Sequence, residues 1–581
     1  MAGLLSWLVT SSVAQPTSRK VDGALLRRAP AEEWLGYGRD QAETHFSPLK
    51  QIDATNVARL GLAFAGDTDA PAGNIQATPI VANGVMYTSL PWGVLYAADA
   101  RTGKFKWRWD PELPRTGPDR PGFCCGAVNR GMAIYNGKVY ASLIFGRLVA
   151  LDAETGKLVW SAQTTDTNTD MTITSAVRIA KGKVIVGTAG AEFNVRGYFS
   201  AYDAETGKMA WRFYTTPGDP SKPFEHAELK EAAKTWKGTD WSVVKGGGTV
   251  WDGMAYDADA DLLYIGTGNG SPWNRQFRSP GGGDNLFLCS ILAVKPDTGK
   301  LAWYYQTTPG ESWDYTSVQS LILADLNIKG RNRKVIMQAP KNGFFYVLDR
   351  VTGEFISAEP YSEVTWAKGI DPKTGRPIEN PGVRFENGTT VELSPGSGGG
   401  HNWQPMAFSP ATGLVYIPGA NNSRMYHSTP DFVPAKGKQI TGVDMNNFAE
   451  GLSPAGARIT NKGNFLKAWD PITQSARWSV PVAGGFSGGV MATAGNLVFA
   501  PSNDKLTAYS ADKGEKVWEA TLAPGVATPM TYQLDGKQYI GVVAGRGSTQ
   551  APTRFYSFVL DGAAPMPELP KPPAKGAAKG K

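Results

Sequence analysis

Two adjacent cysteines, Cys124 and Cys125, stand out in a chain of 581 residues that contains only three cysteines. A disulfide between neighbouring residues would close a small strained ring, and backbone strain is concentrated at functional sites. Such a bond would also indicate an oxidising compartment. The alternative is a pair of reduced, buried core cysteines, which is the form we favour for Cys289 in the apolar run NLFLCSILAV. The residues alone leave both interpretations of the adjacent pair open.

A second set of polar residues has the chemistry of a hard-cation site. Glu192 occurs in GAE, Asn269 in TGN and Asp314 in WDY. Carboxylate and amide oxygens are ligands that suit Ca²⁺. Zinc is not expected, because the four histidines of the chain have no zinc-type spacing. The alternatives for these three residues are a salt-bridged glutamate and two turn residues.

The elements that must position these side chains are repeats. Three segments are closely alike, YAADARTGKFKW, VALDAETGKLVW and SAYDAETGKMAW, and looser copies follow them. Repeats with a period of about 50 residues indicate stacked supersecondary units. Each repeat divides into four β-rich runs separated by turn signals, which is typical of a propeller blade. The tryptophan that closes each repeat is expected to pack between neighbouring sheets: Trp107, Trp160, Trp211, Trp303, Trp478 and Trp518.

The sequence therefore predicts an all-β fold, an eight-bladed β-propeller of four-stranded blades with Trp-closed repeats. An eighth blade would combine three C-terminal strands with LGLAFAG near residue 60, so that no sheet edge stays unpaired. A single catalytic domain is expected over residues 34–562, with a helix in the insertion 214–245 and loop-rich insertions at 358–399 and 421–463. The other seven blades are expected to begin near residues 75, 127, 174, 248, 318, 400 and 487.

Both ends of the chain are expected to lie outside this domain. Residues 1–20 contain a short apolar run followed by SVA, and we interpret them as a clipped export signal; the alternative is an N-terminus without a role. Residues 563–581 form a basic Pro/Lys-rich tail that is expected to be disordered. The net charge of +7 is spread along the chain, so nucleic acid is not an expected partner, and no run is long and apolar enough for a transmembrane span.

Eight motifs along the chain resemble those of the quinoprotein alcohol dehydrogenases, the methanol and ethanol dehydrogenase family that uses pyrroloquinoline quinone (PQQ). The resemblance extends roughly from Trp34 to Leu560 and implies a periplasmic enzyme that oxidises an alcohol to an aldehyde or ketone with PQQ and Ca²⁺. The motifs are CCGAVNRG, TITSA, GAEFNVRG, GGGTVWDGMAYD, GTGNGSPWN, WDYTS, QAPKNGFFYVLDR and GGHNWQPMAF.

The resemblance also implies roles for single residues. A Cys124–Cys125 disulfide ring would lie against one face of PQQ and Trp251 against the other. Ca²⁺ would be bound by Glu192, Asn269 and Asp314, and Asp314 would also be the base that takes the hydroxyl proton while hydride moves to the quinone. The alternatives are a core tryptophan, surface ion pairs and turn caps. Further cofactor contacts are expected from Gln76, Arg130, Thr174, Gly190, Ala191, Glu192, Lys341, Asn402 and Trp403.

Departures from the family pattern fall mainly on the substrate side. Gln76 replaces a glutamate, and Arg546 and Phe486 replace tryptophans. With Trp273 as a remaining wall, the resemblance then implies a pocket that admits a bulky secondary alcohol. A sugar or polyol dehydrogenase of the same family is one alternative. Another is a non-catalytic propeller scaffold like the outer-membrane assembly lipoprotein with similar repeats, although such scaffolds lack the paired cysteines, GAE, TGN and WDY.

The route of the electrons follows from a missing motif. The sequence contains no C-x-x-C-H, the motif to which haem is covalently attached. Electrons are therefore expected to pass to a separate, soluble c-type cytochrome.

Overall fold

The computed structural model describes most of the chain, and strands dominate it. The helices are short, and the predicted helix within residues 214–245 is confirmed as Glu228–Ala233. No helix in the described part is long and apolar enough to cross a membrane. The described residues are 19–116, 123, 125–166, 170–429, 432–433, 439–443, 460–548 and 551–569. Their other helices are Gly23–Arg27 and Arg275–Arg278, with 3₁₀ turns at Val57–Arg59, Pro91–Gly93 and Ala191–Phe193.

Within the described residues, eight mainly antiparallel sheets of four or five strands follow one another along the chain, which is the architecture of a β-propeller. Sheet 1 comprises Ile80–Ala82, Val85–Ser89, Leu95–Asp99 and Phe105–Trp109. Sheet 2 comprises Ala133–Tyr135, Lys138–Ser142, Arg147–Asp152 and Leu158–Gln163. Sheet 3 comprises Arg178–Ala180, Lys183–Gly187, Tyr198–Asp203 and Met209–Tyr214. Sheet 4 comprises Met254–Asp257, Leu262–Gly266, Ser290–Val294 and Leu301–Gln306.

The second half of the chain continues this pattern and adds short strands to it. Sheet 5 comprises Ile322–Ile328, Arg331–Gln338, Phe344–Asp349 and Phe355–Pro360. Sheet 6 comprises Thr390–Leu393, Ala407–Ser409, Leu414–His427, Thr460–Asp470 and Ser475–Val482. Sheet 7 comprises Phe46–Ser47, Met491–Thr493, Leu497–Ser502, Lys505–Ser510 and Lys516–Thr521. Sheet 8 comprises Leu60–Asp67, Met530–Leu534, Lys537–Ala544 and Arg554–Leu560. Two small two-stranded sheets are separate, Gly246–Gly247 with Gly270–Ser271 and Ala367–Ile370 with Pro377–Glu379.

The repeated D-x-x-T-G sequence forms the turn before the outermost strand of a sheet. In sheet 2, Asp152 accepts hydrogen bonds from the backbone N–H and the hydroxyl of Thr155, both at 2.8 Å. Gly156 then takes φ = 70°, a left-handed conformation that glycine adopts without steric cost. The turn matters for packing, because a Cβ at Gly156 would lie 2.6 Å from the indole of Trp107 in sheet 1.

The tryptophans therefore contact the next sheet along the chain. The Trp107 indole N–H donates to the carbonyl of Ala153 at 3.0 Å. Trp160 donates in the same way to Ala204 at 3.0 Å and lies over Gly207. Corresponding contacts join Trp211 to Pro296, Trp478 to Ala511 and Trp518 to Leu60.

The first long strand of the chain belongs to the last sheet. Leu60–Asp67 pairs antiparallel with Arg554–Leu560, in a register that places Leu60 opposite Leu560 and Asp67 opposite Arg554. The prediction that the run near residue 60 joins the C-terminal strands is confirmed. The structure thus joins a strand from the N-terminal part of the chain to the three C-terminal strands in one sheet, where Leu60–Asp67 is an edge strand.

The apolar core lies between adjacent sheets, while several of the candidate residues lie just before a strand near the start of a sheet. Arg130 precedes Ala133–Tyr135 of sheet 2, and Trp251 precedes Met254–Asp257 of sheet 4. Gln76 and Thr174 have the same relation to sheets 1 and 3, and Asn402 precedes Ala407–Ser409 of sheet 6. These segments approach the sheets from the same side, so residues far apart in sequence meet at one end of the fold.

Candidate functional site

A cavity of about 280 Å³ collects most of the residues for which the sequence predicts chemistry. It is lined by the predicted residues Gln76, Cys125, Arg130, Thr174, Gly190, Glu192, Trp251, Asp314, Lys341, Asn402 and Trp403. Four further lining residues were not predicted: Phe123, Gly126, Thr172 and Ala189. Thr172 stands two residues before Thr174, so the two-residue period of an extended chain could have identified it.

Arg130 forms a fixed cationic edge of this cavity. Its guanidinium donates to the Thr174 hydroxyl at 2.7 Å and to the Trp251 carbonyl at 3.0 Å. It also lies 4.9 Å from the centre of the Trp251 ring and 3.6 Å from a carboxylate oxygen of Asp252. Burial lowers the pKa of Arg130, and Asp252 opposes that shift. An arginine fixed in this way is suited to bind a carboxylate.

A buried charged network lies next to Arg130, and sequence reasoning missed it. The Glu43 carboxylate accepts hydrogen bonds from the Arg178 guanidinium at 2.7 and 3.1 Å. Arg178 lies 4.2 Å from the centre of the Tyr37 ring. Burial raises the pKa of Glu43 to about 7, while the adjacent Arg178 opposes the shift. No motif spacing links these residues to Asp252, because distant parts of the chain contribute them.

Trp251 and the cysteine segment provide walls of the cavity. The glycine run before Trp251 packs closely, since a Cβ at Gly247 would lie 2.6 Å from the carbonyl oxygen of Asn269. Trp251 is half-buried and Cys125 is exposed, and both line the cavity. Cys124 lies outside the described residues.

Two carboxylates share the cavity with one lysine. Glu192 lies in the 3₁₀ turn Ala191–Phe193, which begins after Gly190 at φ = 103°. The Lys341 ammonium donates to Asp314 Oδ2 at 2.9 Å and to the Asp314 carbonyl at 3.1 Å.

The electrostatics of these two carboxylates favour a cation. Burial raises the pKa of Asp314 to about 7; the Glu192 charge adds to the shift, and Lys341 opposes it. Burial also raises the pKa of Glu192. Two desolvated carboxylates in one cavity are an unfavourable arrangement that a bound cation would relieve.

Asn269 lies behind this lining rather than in it. It is 1% exposed, and its amide donates to the Gly270 carbonyl at 3.1 Å. No group of three or more His, Cys, Asp or Glu side chains in the described part of the chain is arranged to hold a metal. A metal at Glu192 and Asp314 would therefore need the amide oxygen and ligands from another molecule, which is compatible with a cofactor that carries oxygens.

The side chain of Gln76 is a further feature of the cavity that would suit a polar ligand. Its side chain lines the cavity, is 7% exposed, and within the described residues its buried Oε1 has no hydrogen-bond partner. Buried polar atoms are almost always hydrogen-bonded in folded proteins. The cavity thus presents cations, a hydroxyl, an unsatisfied amide and an aromatic wall, a set that fits a planar anionic cofactor.

The predicted substrate-side residues are distributed over two places. Phe486 and Arg546 line a neighbouring cavity of about 250 Å³, which shares Gln76 and Trp403 with the first. Trp273 instead belongs to a buried aromatic cluster with Trp313 and is 5% exposed. Its role as a substrate wall stays a prediction.

Comparison with known proteins relates this geometry to one family. The family described as "PQQ: Glucose/ethanol/alcohol dehydrogenase, beta-propeller domain" matches residues 34–366 and 459–540. The chain is 52% identical to quinohemoprotein alcohol dehydrogenase ADH IIB of Pseudomonas putida, over 96% of this chain and 82% of that protein. It is 42% identical to a 1-butanol dehydrogenase (cytochrome c) of Thauera butanivorans, over 93% of this chain and 80% of that protein.

A solved structure has the same fold. The quinohemoprotein alcohol dehydrogenase ADHIIG from Pseudomonas putida HK5 superposes with a TM-score of 0.89 and 47% sequence identity. The match covers 95% of this chain and 84% of the other.

Proposed function

Because the chain belongs to the family of PQQ-dependent alcohol dehydrogenases and is an oxidoreductase of that class, we propose that it oxidises an alcohol in a periplasmic PQQ- and Ca²⁺-dependent reaction. The observation that carries the proposal is the shared cavity of Arg130, Trp251, Glu192 and Asp314. We further propose that the eight sheets are eight Trp-closed blades of a single catalytic domain, residues 34–562. The predicted export segment at 1–20 and the predicted tail at 563–581 lie mostly outside the described residues.

The walls of the cavity support the proposed position of the cofactor. A Cys124–Cys125 disulfide would cover one face of PQQ and Trp251 the other. Arg130 and Thr174 would bind carboxylates at the edge, where Arg130 is already held by Thr174 and the Trp251 carbonyl. Other contacts would come from the lining residues Gln76, Gly190, Lys341, Asn402 and Trp403. Ala191, also predicted as a cofactor contact, is buried and does not line the cavity.

Asp314 is proposed to be both a ligand of the metal and the catalytic base. Glu192, Asn269 and Asp314 would hold Ca²⁺; when bound, PQQ supplies a two-electron acceptor and Ca²⁺ a Lewis acid. In the described part of the chain Asp314 Oδ1 accepts no hydrogen bond, while Lys341 occupies Oδ2. Asp314 Oδ1 would take the hydroxyl proton of the alcohol, and Lys341 would orient the carboxylate.

Reconstitution tests this proposal. Purified protein should be inactive until PQQ and Ca²⁺ are both added, with a dye as artificial electron acceptor, and chelation should remove the activity. La³⁺ should not replace Ca²⁺, because a trivalent ion would need an additional carboxylate. The residue two positions after Asp314 is Thr316, whose hydroxyl is hydrogen-bonded to Gln319 and supplies none. Turnover with NAD in the absence of PQQ, or activity with La³⁺ but not Ca²⁺, would contradict the proposal.

The proposed substrate is an alcohol bulkier than ethanol, such as a secondary alcohol, and it would extend into the neighbouring cavity. Arg546 is exposed there, and its backbone is held independently of its side chain, by bonds of 2.9 Å to the Ala551 carbonyl and 3.0 Å from the Gly73 N–H. The side chain can therefore be changed without disturbing the loop. Asn74, Gln404 and Asn503 make this cavity polar, which keeps a sugar or polyol as a second candidate substrate.

Arg546→Trp should narrow the substrate range. The added ring volume should lower kcat/KM for a polycyclic secondary alcohol by about 10- to 100-fold while leaving ethanol unaffected, the scale expected for pocket volume. Arg546→Met, which removes the charge without adding a ring, is the control: it should reduce kcat/KM for polyols alone. A preference of the wild-type enzyme for ethanol, together with a neutral Arg546→Trp, would refute the open-pocket interpretation.

The proposed electron acceptor is a separate, soluble c-type cytochrome. The proposal is supported by one relative that is named for cytochrome c. A stopped-flow measurement with the PQQ-loaded, alcohol-reduced enzyme and a soluble cytochrome c would test it directly.

A further inference from the structure

One buried carboxylate connects the two loops that carry the proposed metal ligands. Glu311 is fully buried, and its Oε1 accepts the backbone N–H of Gly270 at 2.6 Å. Its Oε2 accepts the backbone N–H groups of Trp313 at 3.0 Å and Tyr315 at 3.3 Å. Gly270 directly follows Asn269, and Trp313 and Tyr315 flank Asp314. Glu311 thus holds the backbone on either side of Asp314 and next to Asn269.

Arg278 supports this link from the other side. It too is fully buried, lies 4.0 Å from the Glu311 carboxylate, and donates to the Glu311 carbonyl at 2.6 Å. It also donates to the carbonyls of Pro272 and Trp273, on the Asn269 side. A Cβ at Gly270 would lie 2.1 Å from the Arg278 guanidinium, so the guanidinium packs directly against the Gly270 backbone.

Cys289 also connects the same two loops, through a backbone hydrogen bond and a weaker thiol hydrogen bond. Its backbone N–H donates to the Gly268 carbonyl at 3.0 Å, and its thiol donates to the Tyr315 carbonyl at 2.8 Å. The loops need such support because Asp314 has φ = 63°, a left-handed conformation that costs an aspartate energy. Glu311 does not line the cavity, so it acts through other residues.

From this arrangement we propose that Glu311, with Arg278 as its counterion, is a positioning residue that sets the distance between Asn269 and Asp314 and thereby the affinity for Ca²⁺. The inference rests on the proposed function, since it concerns the same metal site. Outer-shell groups that orient ligands commonly change metal affinity by about 10- to 100-fold when removed.

Glu311→Gln tests the inference. The amide nitrogen of glutamine cannot accept a hydrogen bond, so one of the two loops loses its partner. Ca²⁺ is titrated at fixed PQQ and followed by PQQ absorbance, a readout independent of turnover, and the half-saturating Ca²⁺ concentration should rise by about 10- to 100-fold. Glu311→Asp keeps the charge opposite Arg278 but shortens the reach, and it should give an intermediate value.

The matched control is Asp257→Asn in sheet 4. Asp257 is also a buried carboxylate beside an arginine: it accepts from Arg350 at 2.6 Å and from the backbone N–H groups of Asp259 and Ala260. It does not line the cavity, so this variant should lose thermal stability and keep the wild-type Ca²⁺ requirement. If Glu311→Gln behaves like Asp257→Asn, the positioning role is refuted.

Hydrogen exchange of the metal-free wild-type protein gives a test that needs no variant. The amides of Gly270, Trp313 and Tyr315 should exchange slowly before PQQ and Ca²⁺ are added, because Glu311 already holds them. Rapid exchange that slows only on Ca²⁺ binding would overturn the inference, including in the case that Glu311→Gln does not fold. Failure of wild-type protein to bind PQQ and Ca²⁺ would instead contradict the proposed function.

Discussion

Asp314→Asn should reduce kcat by about 10²- to 10⁴-fold, the usual effect of removing a general base. Asparagine has nearly the same shape, but it cannot take a proton from the alcohol. The binding of PQQ should persist, because Arg130 makes its hydrogen bonds to Thr174 and the Trp251 carbonyl rather than to Asp314. Activity is measured at saturating Ca²⁺, and PQQ binding is measured separately by quenching of tryptophan fluorescence.

The experiment must distinguish loss of the general base from loss of a metal ligand, because Asp314 is proposed to serve as both. Asparagine keeps one oxygen that can bind Ca²⁺, so the rate should stay low however much Ca²⁺ is added. Asp257→Asn serves again as the control for loss of a buried carboxylate. A kcat near that of the wild type would assign the base to another residue. Recovery of the rate with added Ca²⁺ would reduce the role of Asp314 to metal binding.

Glu192→Gln should raise the Ca²⁺ concentration needed for reconstitution by more than the roughly 10- to 100-fold that an outer-shell change produces. Glu192 is one of two carboxylates in the cavity, so half of the protein's negative charge at the metal would be lost. The metal-free variant should be at least as thermally stable as the wild type, because the Glu192 charge adds to the raised pKa of Asp314 and its removal relieves repulsion. Calcium titration and thermal melting measure the two effects.

The same two measurements separate a metal ligand from an ordinary structural glutamate. In the described residues Glu192 forms no ion pair within 4.0 Å, so its loss removes no salt bridge from the folded protein. A lowered melting temperature with an unchanged Ca²⁺ requirement would contradict its role as a ligand.

The strand pattern, the turns and the types of the reactive residues could be predicted from the sequence because they depend on local chemistry. The D-x-x-T-G repeat predicts its own turn, since Asp152 bonds to Thr155 three residues later and Gly156 takes the left-handed conformation. Several residues quoted from motifs, such as Arg130 and Trp251, stand just before a strand start that the repeat period locates. Family membership follows from the same motifs.

Only the tertiary structure decided which residues support the candidate site and where the residues proposed for the substrate side lie. Glu43, Arg178 and Asp252 come from separate sheets and loops, and Glu311 acts through backbone groups of two loops, so no spacing in the sequence connects them. The placement of Phe486 and Arg546 in a neighbouring cavity, and of Trp273 in an aromatic cluster, depends on side-chain directions set by packing. The sequence by itself thus determined the types of the candidate residues, while their geometry required the arrangement of the sheets, because contacts between distant residues form only when the chain folds.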